Sequence, residues 1–209
     1  MDNGRLILDI RDRHEERLRE EILANLNVAL EISRKQGIKV DRYIALPSIT
    51  NRSKHTVMSW FQREEKKIPL IDLCVIAEYL HYNIYSFFKT KENCIITEEE
   101  FLRENDECNR THTRYGAKIF ILAYNAQYNI DKDVLIDNVE KYYKSTEEIM
   151  SNHSSERMER ITKICGCNKN TYRAWFNRSR KNVKIPLYSL CKLAIDADVD
   201  VFEFLNIKV

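Results

Sequence analysis

Residues 171–194 read TYRAWFNRSRKNVKIPLYSLCKLA, and residues 56–77 read TVMSWFQREEKKIPLIDLCVIA. Both stretches carry Trp-Phe, a basic connector, Ile-Pro-Leu and then Leu-Cys, with an alanine at the end. The tryptophans Trp60 and Trp175 are 115 residues apart and the prolines Pro69 and Pro186 are 117 apart, so the second copy has two additional residues in its connector. Loops accommodate such insertions, whereas cores do not. The chain therefore carries one module in duplicate.

The composition favours two small helical domains. The chain has 209 residues, which is enough for two cores of roughly a hundred residues each. It contains 4 Gly and 3 Pro, where average usage would give about 15 and about 10, so few turns are expected. No stretch approaches the roughly 20 apolar residues of a membrane span, and the chain begins with an acidic segment where a secretory signal would be basic. We expect an all-α protein in the cytoplasm that does not bind membranes.

Apolar periodicity and capping residues predict five helices in the first module. The first is expected over residues 12–35 and is ended by Gly37. The second is expected over residues 41–49, where Pro47 must end or kink it. Ser53 caps a third helix through Gln62, Pro69 opens a fourth that runs to Leu80, and an apolar cluster at 84–88 closes the module. Two alternatives are left open for residues 5–10. They form either a short strand that pairs with residues 94–96 or an opening helical turn.

The second module has its own predicted helices, at 133–150, 155–165, 168–177, 186–198 and 201–205. Between the modules, residues 89–114 are polar and are interpreted as a linker with some helix at 98–104. Residues 117–128 are apolar on nearly all sides, which predicts a helix buried between domains or in a dimer interface. The predicted organisation is an N-terminal domain over 1–90, a connector over 91–130 and a C-terminal domain over 131–209.

Gly166 follows an apolar helix end, and Asn168 precedes a new helix. Glycine adopts a left-handed turn easily and asparagine caps helices, so this order is a helix-turn-helix signature. The stretch ICGCNKNT at 164–171 resembles the Cro/C1-type (lambda-repressor-like, XRE) helix-turn-helix family of bacterial and phage repressors. The resemblance covers roughly residues 20–88 and 133–206. It implies two five-helix domains that bind duplex DNA, with the third helix of each in the major groove.

The turn of the first copy departs from this family pattern at one position. Asn51 stands where the family has glycine, and Pro47 lies close by. Asparagine is the next best residue for a left-handed conformation, so the same turn geometry is expected.

The third helix of the second copy has two different faces. Its core face carries Tyr172, Trp175 and Phe176, and its outward face carries Lys169, Asn170, Arg173 and Asn177. Arg and Lys donate to guanine N7 and O6, and Asn pairs with adenine through two hydrogen bonds, so this outward face has the chemistry that reads bases. The candidate DNA-binding residues are this face and Asn168, the loop residues Arg178, Arg180, Lys181 and Lys184, and, from the first copy, Ser53, Lys54, His55, Met58, Gln62 and Arg63.

Basic charge is concentrated around the two predicted recognition helices. Residues 51–67 have a balance of +3, and residues 168–184 have six Lys/Arg and no acid, a balance of +6. The whole chain is only +2, so the remaining residues sum to −7. This distribution is typical of phosphate binding by counterion release.

Other chemistries find less support in the sequence. Trp60 and Trp175 could stack on single strands, but each lies on the apolar side of its helix and is interpreted as a core residue. Cys74 and Cys191 lie in apolar segments and are expected in the core. A zinc site of Cys165, Cys167, Cys108 and His112 is set aside, because structural zinc sites normally use a second closely spaced pair. The five histidines are scattered and no catalytic motif occurs, so we expect neither an enzyme nor a cofactor.

The predicted function is sequence-specific binding of double-stranded DNA by a transcriptional regulator of bacterial, phage or mobile-element type. It would act by occlusion or recruitment at a promoter. One alternative is a protein-interaction module that inhibits a partner protein, which Met58 and the glycine-free first turn favour for the N-terminal domain. Another is an accessory DNA-binding protein of transfer or recombination. A homodimer through the connector helix also remains open.

Overall fold

The fold is all-α. The computed structural model describes residues 2–62, 66–91, 94–95, 97–99, 102–103, 115–143 and 154–208. Eleven α-helices have both ends within these residues: α1 (Asn3–Glu16), α2 (Arg19–Lys35), α3 (Ala45–Thr50), α4 (Lys54–Gln62), α5 (Leu70–Leu80), α6 (Tyr115–Asn129), α7 (Lys132–Tyr143), α8 (Ser154–Cys165), α9 (Lys169–Phe176), α10 (Leu187–Asp196) and α11 (Val201–Leu205). A 3₁₀ helix covers Ile84–Phe88, and the short strands β1 (Thr90–Lys91) and β2 (Cys94–Ile95) pair antiparallel.

The chain divides into two compact units. The N-terminal unit comprises Asp9–Ile121, and the C-terminal unit comprises Met1–Leu8 together with Leu122–Val209. The division falls inside α1 and inside α6. Asn3 belongs to the C-terminal unit, where its side chain donates a hydrogen bond to Asp200 at 2.8 Å.

Each unit has a core built from the apolar faces of its helices. In the N-terminal unit, Leu26, Leu73 and Phe87 are fully buried, and in the C-terminal unit the same is true of Leu135, Leu190 and Phe204. Cys74 and Cys191 are also fully buried, which confirms that they are core residues. Burial raises the pKa of both thiols, so they stay neutral near pH 7.

The prediction of one helix over residues 12–35 is wrong, because the segment contains the end of α1 and all of α2. Leu18 is extended, with φ −67° and ψ 146°, and its amide donates to the Glu21 carboxylate at 3.3 Å. This contact replaces the helical hydrogen bond and starts α2. Periodicity alone could not show the break, since both helices bury apolar residues at the same spacing.

Residues 5–10, for which a strand and a helical turn were both considered, are helical. Strand β2 pairs with β1 and not with these residues.

The second helix also begins later than predicted. Asp41 accepts hydrogen bonds from the amides of Tyr43 at 2.7 Å and Ile44 at 3.1 Å, which forms a turn where a first helical turn was expected. Helix α3 begins at Ala45, so Pro47 is its third residue. The first four amides of a helix have no intrahelical partner, so proline is tolerated there and does not end the helix.

Most other helices lie close to their predicted positions. Ser53 caps α4, since its hydroxyl accepts a hydrogen bond from the Thr56 amide at 3.1 Å, and α11 matches its predicted range. Helix α10 ends at Asp196, two residues before the predicted end, and α7 ends at Tyr143 in the described residues. Residues 98–99 and 102–103 are helical as expected, and the rest of that predicted segment lies outside the described residues, as do residues 144–150.

Candidate nucleic-acid interface

The turn between α8 and α9 has the geometry that its residues predict. Gly166 has a left-handed φ of 66°, and the Cys167 amide donates to the Thr162 carbonyl at 3.1 Å. Asn168 is extended, and its side-chain oxygen accepts a hydrogen bond from the Thr171 amide at 2.8 Å. The turn therefore ends α8 and starts α9 within three residues.

The corresponding turn of the N-terminal unit is formed in the same way with different residues. Asn51 adopts the left-handed conformation with φ 53°, and the Arg52 amide donates to the Pro47 carbonyl at 3.0 Å. Ser53 then caps α4. The expectation that asparagine can replace glycine at this position is confirmed, because Asn51 tolerates the positive φ at small cost.

The core face of α9 is buried and its opposite face is exposed. Tyr172 is 6% exposed and Trp175 is 7% exposed, and the ring of Tyr172 stacks on Phe176 with centroids 4.5 Å apart. The interpretation of Trp175 as a core residue is confirmed, and so is that of Trp60, which is 2% exposed. Both indoles are inaccessible for stacking on a base.

Three predicted residues project from the exposed face of α9. Lys169, Asn170 and Arg173 are exposed, and within the described part of the chain their side chains make no hydrogen bond or ion pair. The fourth, Asn177, lies just beyond the helix. Its side-chain oxygen accepts from the Ser179 amide at 3.0 Å and so shapes the loop that follows. Two cations and one amide are therefore available to an incoming ligand.

The loop after α9 presents less free charge than its sequence indicates. Arg178 donates to Asp137 at 2.6 Å and to Glu140 at 3.3 Å, and Lys181 pairs with Asp133. These carboxylates all project from α7 and raise the pKa values of both cations. Two of the predicted loop cations thus have acidic partners within their own unit.

Lys184 is bound to the main chain. Its ammonium donates to the carbonyl oxygens of Tyr128 at 2.8 Å and Ile130 at 2.6 Å, and more weakly to that of Gln127 at 3.3 Å. These carbonyls lie at the C-terminal end of α6, where a cation is favoured by the helix dipole. Arg180, in contrast, is exposed. It is the loop cation with the best access to a ligand.

The outward face of α4 has a different character. Lys54 lies over the Tyr43 ring at 5.9 Å, Met58 is half-buried, and His55 and Gln62 are exposed. Arg63 lies outside the described residues. Arg52, one residue before the cap, donates to Asp72 at 3.0 Å. Burial raises the pKa of Asp72, although the Arg52 hydrogen bond and charge oppose this.

Sequence reasoning missed a buried lysine beneath the candidate interface. Lys132, the first residue of α7, is 2% exposed and donates to three carbonyl oxygens at the end of α9 and in its loop. Arg19, the first residue of α2, has the corresponding position in the N-terminal unit. A signal was present: each cation is followed by apolar residues three, four and seven positions later.

No metal site occurs within the described residues, since no group of three or more His, Cys, Asp or Glu side chains lies close enough to hold an ion. Cys108 and His112, two members of the zinc site considered above, lie outside those residues. None of the described helices is both long enough and apolar enough to cross a membrane. No protein-family model, curated protein or solved structure matches this chain.

Proposed function

We propose that this chain is a sequence-specific double-stranded DNA-binding protein with two helix-turn-helix domains of the Cro/C1 type, and that it acts as a transcriptional regulator. Helix α9 is the principal recognition helix. The observation that carries this proposal is the free outward face of Lys169, Asn170 and Arg173 on a helix that follows a left-handed turn and an asparagine cap.

The chemistry of this face suits the major groove. Arginine and lysine donate to guanine O6 and N7, and asparagine pairs with adenine. The three residues occupy the first five positions of α9, and helix-turn-helix proteins read bases with the N-terminal residues of the recognition helix. Trp175 and Tyr172 anchor the opposite face in the core, so the outward residues are presented from a fixed helix.

The charge arrangement favours selective over indiscriminate binding. Arg178 and Lys181 already have carboxylate partners, and Lys184 is bound to carbonyls. Lys169, Arg173 and Arg180 are the cations of segment 168–184 that remain accessible. Sequence-independent affinity depends on the number of neutralised phosphates. A small number of free cations therefore leaves a larger share of the binding to base contacts.

A mobility-shift titration on the DNA that flanks the chain's own gene tests the proposal. We expect a shifted complex that weakens with salt and that survives an excess of random duplex. Lys163→Ala should give the same shift, because Lys163 is an exposed lysine of α8 that is not among the residues proposed to contact DNA. Absence of any shift at low salt would reject the proposal.

The surface of the N-terminal unit favours a second function for that unit, the binding of a partner protein. Its cations Arg52 and Lys54 are engaged by Asp72 and Tyr43. Ile44 is 76% exposed, and it lines a groove of about 500 Å³ together with Ile38 and Val40. Ile49 and Val75 line another groove of about 590 Å³. Exposed apolar surface of this kind is typical of protein-binding sites. The alternative is that this unit binds a partner protein while the C-terminal unit binds DNA.

The two functions of the N-terminal unit can be separated by substitution. If it reads DNA, His55→Ala and Gln62→Ala should each lower the affinity of the full chain for its operator. If it binds a protein, both variants should bind the operator as the wild type does. A footprint confined to the site of the C-terminal unit would show that the N-terminal unit does not read DNA.

A further inference from the structure

Lys132 gathers three main-chain carbonyls around one ammonium group. Its Nζ donates to the carbonyl oxygens of Ala174 at 3.1 Å, Asn177 at 2.8 Å and Arg180 at 2.8 Å. A lysine ammonium has three donors, so these contacts use all of them. The residue is 2% exposed, and burial lowers its pKa. All three hydrogen bonds of the buried ammonium are therefore made to the end of α9 and to the loop that follows it.

The three carbonyls lie at and just beyond the end of α9, which has no left-handed cap. Asn177 leaves the helix in an extended conformation, with φ −80° and ψ 105°. The last carbonyls of a helix have no intrahelical donor, and a cation there is also favoured by the helix dipole. The Arg180 amide donates to the Asn177 carbonyl at 3.1 Å, and the Val183 amide donates to the Arg180 carbonyl at 3.0 Å. Lys132 thus binds the same oxygens that organise the loop.

The N-terminal unit contains the same arrangement with a different cation. Arg19 donates from Nη2 to the Trp60 carbonyl at 2.6 Å and from Nε to the Lys66 carbonyl at 2.9 Å. Its side chain is 12% exposed. Arg19 and Lys132 are each the first residue of the helix that precedes the turn-forming pair, and both reach the end of the proposed recognition helix. The recurrence indicates a common role for the two cations.

We propose that Lys132 and Arg19 are positioning residues that hold the C-terminal end of each recognition helix, and the start of the loop after it, in the orientation that meets DNA. Neither residue contacts DNA itself. The part of this inference that concerns DNA rests on the proposed function. The part that concerns the loop does not, and it can be tested without any ligand.

Amide hydrogen exchange on the full-length protein tests the hold on the loop. Lys132→Met removes the ammonium with little change in side-chain length, and Lys132→Arg supplies the group that Arg19 uses. Lys141→Met is the matched control, because Lys141 is an exposed lysine on the same helix. In Lys132→Met, we expect exchange at the Arg180 and Val183 amides to be at least about tenfold faster, with α10 unchanged. Lys132→Arg should restore most of the protection, and Lys141→Met should behave as the wild type.

Two exchange results would overturn the proposal. Faster exchange throughout α7 and α10 as well as the loop would show that Lys132 contributes only to overall stability. Unchanged exchange at Arg180 and Val183 would show that the ammonium does not hold the loop at all.

The same variants, titrated with a protected operator fragment and with random duplex, test the effect on recognition. Lys132→Met should lose about tenfold in operator affinity relative to Lys141→Met, with the dependence of log K on log salt unchanged. A salt slope smaller by about 0.9 would mean that Lys132 itself contacts a phosphate, which contradicts a positioning role. Equal operator affinity in Lys132→Met and Lys141→Met would also reject it. If the wild-type protein binds no duplex at low salt, the proposed function fails, whereas the exchange result still decides whether Lys132 holds the loop.

Discussion

Asn25 and Asn138 make the same hydrogen bond in two different units. The side-chain amide of Asn25 donates to the Phe87 carbonyl at 3.3 Å, and that of Asn138 donates to the Phe204 carbonyl at 3.0 Å. Each contact ties the first long helix of its module to the last short helix. The two asparagines are 113 residues apart, as are Arg19 and Lys132. The duplication therefore extends into α2 and α7, where the two copies are least alike in sequence.

Replacement of Trp175 by alanine should destabilise the C-terminal unit strongly. The indole is 7% exposed, so its removal leaves a cavity that costs about 3 to 5 kcal/mol. The same loss is expected for Trp60→Ala in the N-terminal unit. Denaturant unfolding of each variant measures the change. A Trp175→Ala protein that unfolds like the wild type and yet loses DNA binding would revive a stacking role for the tryptophan.

Arg173 should determine the identity of one operator base. Arg173→Ala removes a free guanidinium from the exposed face of α9, and we expect a loss of about 1 to 3 kcal/mol that is confined to one position of the site. Binding to a panel of single-base operator variants measures it. Lys163→Ala serves as the control, and it should leave every operator preference intact. Equal binding by wild type and Arg173→Ala at physiological salt would show that Arg173 does not read a base.

Lys184 and Arg180 should behave differently although both are cations of the same loop. Lys184→Met removes hydrogen bonds to the carbonyls at the end of α6, so it should lower the free energy of unfolding by about 1 to 3 kcal/mol and leave the salt slope unchanged. Arg180→Ala should leave stability unchanged and reduce the salt slope by about 0.9, because it loses one phosphate contact. Thermal melts and salt titrations of both variants measure these effects. A smaller salt slope in Lys184→Met with unchanged stability would mean that Lys184 contacts a phosphate of the DNA.

A single chain should read two unlike half-sites if both units bind DNA. The outward residues of α4 include His55, Met58 and Gln62, whereas those of α9 are Lys169, Asn170 and Arg173. Half-sites read on one face of the duplex are separated by about 34 Å or a multiple of it. Footprinting combined with the mass of the complex in solution measures both the site and the stoichiometry. A palindrome protected by a dimer through its C-terminal units alone would contradict tandem reading.

His14 should make the N-terminal unit less stable at mildly acidic pH. Its ring is buried, its Nε2 lies 2.9 Å from the Ile68 carbonyl, and burial lowers its pKa below the ordinary 6.5. The unfolded chain therefore binds a proton at a higher pH than the folded chain does. Stability should fall as the pH drops below about 6.5, until the lowered folded pKa is passed. Unfolding near pH 7.5 and near pH 5.5 measures this loss. The loss should be smaller in His14→Gln because glutamine does not titrate, and its amide can still donate a hydrogen bond to the Ile68 carbonyl.

The candidate site was predictable in so far as it depends on neighbouring residues. Gly166, Asn168 and Ser53 could be assigned from sequence because a left-handed turn and a helix cap involve residues at most a few positions apart. The break at Leu18 and the late start of α3 were missed, since they depend on competing local hydrogen bonds that leave the apolar periodicity unchanged.

The helical character of the chain, its duplication and the apolar face of α9 could all be read from the amino-acid sequence, because periodicity and capping are local properties. Which cations remain available to a ligand was decided by the tertiary structure. Lys184 reaches Ile130, Arg178 reaches Asp137 and Lys132 reaches Asn177, and each pair is more than 40 residues apart in the chain. A count of basic residues cannot show such contacts, since the free charge of a surface depends on which partners the fold brings within hydrogen-bonding distance.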